Sequence, residues 1–320
     1  MNARNLTDFS AVAGLLEAVG VGVEVPGKAL LQAASAHFAA GQVTAILGPN
    51  GAGKSTLMSV LTGQRPSDSG HVYLAGQSLA AYAQGDLARF RASVAQEMQV
   101  AFEFTVREVV ELGRYPHRRQ PSPHEAVIAL QAMQATAVDH LQNRALNTLS
   151  GGEKARVHLA RALAQVWEPV ALQANKPACA AQGRPKQAQP PRGAESYTPV
   201  SERGGQLPRW LLLDEPTAAL DLQHQHRMLQ LARSWACKQG VGVVAVLHDL
   251  NLALRYADRC VVLQGGQVVA SGATAEVLTP ACIQQVWRVL AHPVPGSTES
   301  RRLQYVFEPS LEDEPQAPTT

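Results

Sequence analysis

A short glycine-rich stretch constrains the fold of this chain more than any other feature. Residues 43–56 read VTAILGPNGAGKST, so an apolar run leads directly into a series of glycines. The stretch fits the pattern G-x-x-x-x-G-K-[ST], with Gly48, Gly53, Lys54 and Ser55 at the defining positions. Glycines let the backbone turn tightly and point N–H groups at phosphate oxygens. A helix that starts near Gly53 adds its positive end, so we predict a phosphate-binding loop.

The residue types in this loop predict separate roles. We expect Lys54 to reach the β- and γ-phosphates of a nucleotide, and the Ser55 hydroxyl to ligate Mg²⁺. A chance match at the four fixed positions should occur in roughly one chain in a hundred of this length. The strand before the loop and the helical pattern after it lower the odds of chance further. The predicted nucleotide-binding residues are Gly48, Pro49, Asn50, Gly51, Ala52, Gly53, Lys54, Ser55 and Thr56.

Composition narrows the class of protein. The chain has 320 residues, 46% of them hydrophobic, which suffices for a large core. The net charge of +2 gives no reason to expect a nucleic acid or an anionic membrane surface as a partner. Four scattered cysteines form no C-x-x-C pair and predict neither a zinc site nor a disulfide framework. No apolar run approaches the roughly 18 residues of a membrane helix, and the N-terminus does not resemble a signal peptide. We therefore expect a cytoplasmic protein.

Strand and helix patterns alternate along most of the chain, which predicts an α/β fold with a mainly parallel sheet. From about residue 97 the pattern becomes entirely helical. Thr105 and Ser150 are suitable N-caps within this helical block. A later segment is rich in Pro, Gln, Ala and Gly and shows no period, so we predict a disordered insertion. The predicted organisation is a flexible lead-in at 1–16, one domain at 17–292 with a helical subdomain at about 97–165 and the insertion at about 168–208, and a flexible tail at 293–320.

A second apolar strand pattern ends in two carboxylates. Residues 210–216 read WLLLDEP, so Asp214 and Glu215 follow a predicted buried strand. Beside a phosphate loop, a carboxylate in the position of Asp214 holds Mg²⁺, directly or through water. Glu215 points elsewhere by strand alternation and is placed to polarise a water for attack on the γ-phosphate. Without a phosphate loop elsewhere in the chain, residues 210–216 would predict only a strand followed by a turn.

The stretch around Ser150 predicts a second site for an anion. Ser150, Gly151 and Gly152 form the start of a helix, where backbone N–H groups are exposed. The alternative is an ordinary capped helix, which is common. However, the nucleotide already has its phosphate loop, so a second phosphate site is most useful on a nucleotide held by another copy of the chain. This predicts a head-to-tail homodimer with two ATP molecules at the interface.

Two further polar positions are weaker candidates, and one pair of histidines is excluded as a metal site. His248 follows a predicted buried strand at the carboxyl edge of the sheet, where it could contact the γ-phosphate, although a lone histidine is more often structural. Gln96, between the sheet and the helical block, could reach Mg²⁺ or water from a hinge. His224 and His226 are two apart on a predicted helix, so they do not share a face and are not a metal pair.

Taken together, these residues resemble the ATP-binding subunit of ABC transporters over about residues 15–290, the insertion excluded. GPNGAGKST is similar to Walker A and WLLLDEP to Walker B. The other matches are Gln96 to the Q-loop, LSGGE at 149–153 to the signature, Ala219-Leu220-Asp221 to the D-loop and His248 to the switch histidine.

The resemblance implies a P-loop NTPase fold of the ABC type, with ATP and Mg²⁺ as cofactors. It implies Glu215 as catalytic base, His248 as a γ-phosphate contact and Asp221 as a residue that acts across the dimer. Gln96 would link the nucleotide state to the membrane partner. Implied partners are two copies of a transmembrane permease and, indirectly, a periplasmic substrate-binding protein. The location would be the cytoplasmic face of the inner membrane.

Within that family, residues 102–118 and 247–272 look like the importers of iron-siderophores, haem and cobalamin. Residues 210–226 look most like the haem importer ATPases. Alternatives are a siderophore or cobalamin importer, a non-transport ABC ATPase acting on DNA or ribosomes, and a non-hydrolysing binding subunit.

The sequence departs from the family pattern at two places. Val25 lies where the family usually stacks adenine on an aromatic ring, and the insertion separates the signature helix from Walker B, which are normally joined by a short connection.

Overall fold

A six-stranded sheet forms the centre of the computed structural model, which describes residues 14–94, 103–167, 207–294 and 303–309. Its strands are β3 (Val43–Leu47), β6 (Arg91–Val94), β7 (Trp210–Leu213), β8 (Gly242–Val246), β9 (Arg259–Gln264) and β10 (Gln267–Ala273). The strand order is β10-β9-β3-β8-β7-β6. Five of these strands are parallel, and β10 pairs with β9 in the antiparallel sense, so the prediction of a mainly parallel sheet is confirmed.

Both faces of this sheet are buried, which explains why its strands are almost continuously apolar. Successive residues of β7 alternate between two cores, with Leu211 and Leu213 in one and Trp210 and Leu212 in the other. The first core is completed by helices. The second lies between the central sheet and an antiparallel sheet. The antiparallel strands are β1 (Leu15–Val25), β2 (Lys28–Ala39), β4 (Ser69–Leu74) and β5 (Gln77–Ser78), in the order β2-β1-β4-β5.

Nine α-helices lie among the described residues, and those before β7 fall into two groups. The first group packs near the sheets, and the second is the predicted helical block. The helices near the sheets are α1 (Lys54–Leu61) and α2 (Gln84–Phe90). The helical block holds α3 (Val106–Leu112), α4 (Glu125–Ala135) and α5 (Gly151–Val166). Between α4 and α5 the block also contains two 3-10 turns, Asp139–Leu141 and Leu146–Thr148.

The helices after β7 cover the first core. They are α6 (Leu222–Gln239), α7 (Leu250–Tyr256), α8 (Thr274–Val277) and α9 (Pro280–Trp287). In the parts of the chain that the structure describes, no helix combines the length and apolar character needed to span a membrane.

The predicted tail at 293–320 is wrong in part, because a two-stranded antiparallel sheet occupies some of it. Strand β11 (Val289–Val294) pairs with β12 (Gln304–Pro309), and the Tyr305 backbone exchanges two hydrogen bonds with the side chain of Asn251 in α7. The predicted lead-in at 1–16 is also too long, since β1 begins at Leu15. Residues 1–13, 95–102, 168–206, 295–302 and 310–320 lie outside the described residues, and with them most of the predicted insertion.

Candidate active site

The strands that carry the predicted site residues are neighbours in the central sheet. Strand β8 pairs with β3 on one side and β7 on the other, all in the parallel sense. Their carboxyl ends therefore meet at one edge of the sheet, where ligands bind in open α/β folds. The phosphate loop follows β3, Asp214 and Glu215 follow β7, and His248 follows β8 after one residue. Residues separated by about 200 positions in sequence are thereby brought to one place.

The backbone of the phosphate loop requires glycine at specific points. Gly48 has a φ of 147°, and a Cβ there would collide with the carbonyl oxygen of Leu263. Gly53 has a φ of 99°, and a Cβ there would lie 2.8 Å from the carbonyl oxygen of Leu30. Gly53 is also the N-cap of α1 and supplies no side-chain hydrogen bond to it. The first N–H groups of α1 are therefore directed toward a ligand site without a side-chain cap.

The side chain of Lys54 folds back into the phosphate loop. Lys54 is 5% exposed, and Nζ donates hydrogen bonds to the carbonyl oxygens of Gly48 at 2.9 Å and Pro49 at 3.0 Å. Burial lowers the pKa of the Lys54 ammonium below its ordinary value, while the charges of Glu215 and Asp214 act in the opposite direction. An ammonium held by two neutral carbonyls is poorly compensated, so negatively charged phosphates are a better partner for it.

Ser55 and Asp214 present oxygen atoms to each other across the site. The Ser55 hydroxyl donates to Oδ1 of Asp214 at 3.3 Å. Burial and, next, the charge of Glu215 raise the pKa of the Asp214 carboxyl above its ordinary value. A hydroxyl and a carboxylate beside a site for phosphates are hard oxygen ligands of the kind that Mg²⁺ binds, and a cation there would offset the destabilisation of the Asp214 charge. The donor set therefore fits the predicted metal.

Glu215 and His248 form a pair that the sequence did not predict. Oε1 of Glu215 lies 2.7 Å from Nε2 of His248, and the Glu215 side chain is only 15% exposed. Glu215 has a φ of 48°, in the left-handed region that costs a non-glycine residue about 1–2 kcal/mol. This conformation turns the chain sharply just after β7, so Asp214 and Glu215 face different parts of the site. The carboxylate can accept a proton from water while the imidazole fixes its position.

The predicted anion site at the start of α5 has a defined cap. The Ser150 hydroxyl accepts from the backbone N–H of Glu153 at 3.3 Å, and the Glu153 carboxylate accepts from the backbone N–H of Ser150 at 2.8 Å. This capping box confirms Ser150 as the N-cap, and Ser150 and Gly151 are exposed. Gly152 lies against the D-loop stretch, since a Cβ there would be 3.3 Å from the carbonyl oxygen of Ala219.

Asp221, the other residue predicted to act across a dimer, begins α6. Its carboxylate caps the helix by accepting from the backbone N–H of His224 at 2.8 Å, and its side chain is 67% exposed. The ring of His224 contacts the same carboxylate and also Arg156 of α5. His226 instead contacts the hydroxyl of Tyr256 at 2.8 Å, which confirms that the two histidines face different ways.

The structure thus gathers the phosphate loop, Asp214, Glu215 and His248 at one edge, and it places Gly152 beside the stretch that leads to Asp221. Gln96 lies outside the described residues. Sequence reasoning missed Glu153, although the S-x-x-E spacing of the capping box was readable. It also missed Arg156 and the contact role of His224, for which no local signal exists, because the two residues are 68 positions apart.

One family model and several known proteins are similar to this chain. The family model described as ABC transporter matches residues 31–168. A hemin import ATP-binding protein of Methylobacillus flagellatus is 40% identical over 88% of this chain and 94% of its own length. A protein of the same name from Gloeobacter violaceus is 43% identical over 84% of this chain and 86% of its own. A metal-chelate type ABC transporter solved in an inward-facing conformation superposes with a TM-score of 0.67 at 23% identity, covering 93% of this chain and 98% of that one.

The fold and the site define a nucleotide-binding α/β protein with a phosphate loop, an acidic pair and a helical subdomain. Given relatives at 40% identity or more over most of its length, the chain belongs to the ABC transporter family, as one of its ATP-binding ATPase subunits.

Proposed function

We propose that this chain couples ATP binding and hydrolysis to the uptake of hemin across the inner membrane, at whose cytoplasmic face it is held by a permease. The observation that carries the ATPase part is the arrangement of Lys54, Ser55, Asp214 and the Glu215–His248 pair at one sheet edge. The cargo rests on relatives named hemin import ATP-binding proteins.

The side chains divide the chemistry among themselves. Lys54 leaves the carbonyls of Gly48 and Pro49 and neutralises the β- and γ-phosphates. Ser55 and Asp214 would hold Mg²⁺, with Gln96 as a further ligand, and the ion would supply charge stabilisation at the phosphates. Glu215 removes a proton from the attacking water, and His248 fixes the Glu215 carboxylate and contacts the γ-phosphate.

The active unit in this proposal is a head-to-tail homodimer. Ser150, Gly151 and Asp221 are exposed, and Gly152 lies against the stretch that leads to Asp221, so these residues share one surface. In a dimer, the positive end of α5 closes on the γ-phosphate held by the partner's phosphate loop. A solved dimeric bacterial ABC cassette superposes with a TM-score of 0.62 at 23% identity, covering 81% of this chain and 98% of that one.

A cleft between the sheets and the helical block supplies the docking place for the permease. It encloses about 1040 Å³ and is lined from both sides, by Tyr82 and Arg91 on one and by Leu112 and Tyr115 on the other. Leu112 and Tyr115 are 49% and 59% exposed, so the cleft offers apolar surface to a partner. A helix of the permease seated here would contact both parts and respond to their relative movement, with Gln96 as the link to the nucleotide.

The test is ATP turnover by the chain reconstituted with its permease and substrate-binding protein in vesicles. We expect hemin-loaded binding protein to stimulate turnover, and a ferric siderophore or cobalamin to leave it unchanged. If a ferric siderophore or cobalamin stimulated turnover instead, that ligand and not hemin would be the cargo. No turnover with any ligand, from a chain that still binds ATP, would support a non-hydrolysing subunit.

A further inference from the structure

The start of α5 and the start of α6, which both face the partner in the proposed dimer, are in contact within one chain. Gly152 at the start of α5 lies against Ala219, just before α6. One turn further along α5, Nη1 of Arg156 lies 2.6 Å from Nε2 of His224. The opposite ring nitrogen, Nδ1 of His224, lies 2.7 Å from Oδ1 of Asp221. A continuous series of contacts therefore runs from the signature helix through an imidazole to the exposed carboxylate.

The partners of His224 determine its protonation state. A guanidinium can only donate hydrogen bonds, so Nε2 must accept and carries no proton. An ionised carboxylate can only accept, so Nδ1 must carry the proton. The ring is therefore neutral in this arrangement, in its Nδ1–H tautomer. A second ring proton would place an N–H against the Arg156 guanidinium and break the contact.

The cap of α6 does not account for this ring. Asp221 already accepts from the backbone N–H of His224 at 2.8 Å, a bond that any residue at position 224 except proline can supply. The imidazole adds a connection to a different helix. The His224 side chain is 24% exposed and its contact with Arg156 is partly buried, so solvent weakens the Arg156 contact less than it would at an open surface. The contact with Asp221 is exposed.

We propose that His224 is a positioning residue for ATP hydrolysis: in its neutral Nδ1–H form it fixes Asp221 relative to α5, so that Asp221 and Ser150–Gly152 meet the partner's nucleotide as one unit. This inference rests on the proposed homodimer. It predicts that His224 affects turnover, which needs both chains, and leaves ATP binding by the phosphate loop of a single chain unchanged.

The kinetic test compares His224→Leu with His226→Leu, a matched change two residues along the same helix. We expect His224→Leu to lower kcat at least about tenfold, the scale of one lost charge-assisted hydrogen bond, with KM for ATP within about twofold. His226→Leu should keep kcat within about twofold of the wild-type value. His224→Asn should recover part of kcat, because its amide can donate to Asp221 where Nδ1–H does.

The structural test is the ¹⁵N spectrum of the histidine rings of the full chain, with the His224 signal assigned by its loss in His224→Leu. We expect the proton on Nδ1. A proton on Nε2, an unchanged kcat in His224→Leu, or equal losses of kcat and of Tm in both leucine variants would each overturn the proposal. A wild-type chain without ATP turnover would instead count against the proposed function, and the ring-proton position would then decide the Arg156–His224–Asp221 contact by itself.

Discussion

Asp214 and Glu215 are adjacent carboxylates placed in different electrostatic situations. Asp214 accepts from Ser55, and burial together with its neighbour's charge raises its pKa. Glu215 is turned away by its left-handed backbone and is paired with His248. A neighbouring pair in one peptide segment can thus serve two purposes, one as a metal ligand and one as a base. Each role has its own experimental signature.

Replacing Glu215 by Gln should separate binding from hydrolysis. The amide keeps the size of the side chain but cannot take a proton from water, so we expect turnover to fall by about 10²-fold or more. ATP binding should stay near the wild-type value, because Lys54 and the loop are untouched. Turnover is measured by phosphate release, and binding by calorimetry. Hydrolysis that persists in this variant would remove Glu215 from the role of base.

Replacing Asp214 by Asn should stabilise the metal-free protein. A carboxyl whose pKa is raised by folding binds its proton more tightly when folded, so its ionised form at neutral pH destabilises the fold. The amide removes that charge. Partial solvent exposure limits the gain, and we expect Tm at pH 7 in a chelating buffer to rise by only about 2–4 °C.

The sign of this effect can be tested by lowering the pH. Below the ordinary pKa of an aspartate the carboxyl is neutral in the folded and the unfolded chain alike, so the advantage of the Asp214→Asn variant over the wild-type protein should disappear there. The same variant should lose turnover. A lower Tm for Asp214→Asn at pH 7 would show that the carboxylate is already compensated in the folded chain.

At the scale of elements, the parts that could be predicted are those whose signals are local. The phosphate loop and the N-caps Thr105 and Ser150 each depend on residues within a few positions. The β11–β12 sheet was missed because its stability comes from pairing across an intervening stretch and from Asn251 in α7. The Glu215–His248 pair was missed for the same reason, since it depends on β7 and β8 being neighbours.

The hairpin of β1 and β2 gives an element-scale prediction about adenine. Val25 ends β1 and pairs with Lys28, and further along β2 the carbonyl of Leu30 lies beside Gly53 of the phosphate loop. An aromatic ring at position 25 could therefore stack on a base whose phosphates are in the loop. Stacking of this kind is worth about 1–3 kcal/mol, so Val25→Tyr should lower the Kd for ATP at least about fivefold.

Calorimetry with ATP checks this, with Val25→Thr as a control that keeps the branched shape and adds no ring. GTP provides a further comparison, since stacking alone discriminates weakly between bases. An unchanged Kd in Val25→Tyr would mean that adenine does not reach the end of this hairpin.

At the scale of the whole molecule, the ends of the predicted insertion are close together. The Arg209 side chain donates to the carbonyl oxygen of Val166 at 2.6 Å, so the end of α5 and the start of β7 are neighbours in space. Trp167 also packs edge-to-face on Trp235 of α6, with ring centroids 4.5 Å apart. These contacts lie at the amino end of β7, whereas Asp214 and Glu215, which belong to the nucleotide site, follow its carboxyl end.

Deleting residues 171–204 should therefore leave ATP turnover within about twofold of the full-length value. About seven residues would remain between Trp167 and Arg209, and they can reach up to about 23 Å. The gap to be bridged is much shorter, because a single arginine side chain already spans it. Tm should change little, because the contacts of Arg209 and Trp167 remain. A folded deletion variant with no turnover would show that the removed segment takes part in the reaction.

The hydrogen bond between Arg209 and Val166 also makes this junction a permissive place to attach other proteins. A folded domain whose own termini are close together could be spliced in between residues 171 and 204 without pulling α5 from β7. Since the cost of closing a longer loop grows only by about 0.6 kcal/mol per doubling of length, the size of the guest matters little. A fluorescent protein placed there would report where the transporter assembles in the cell.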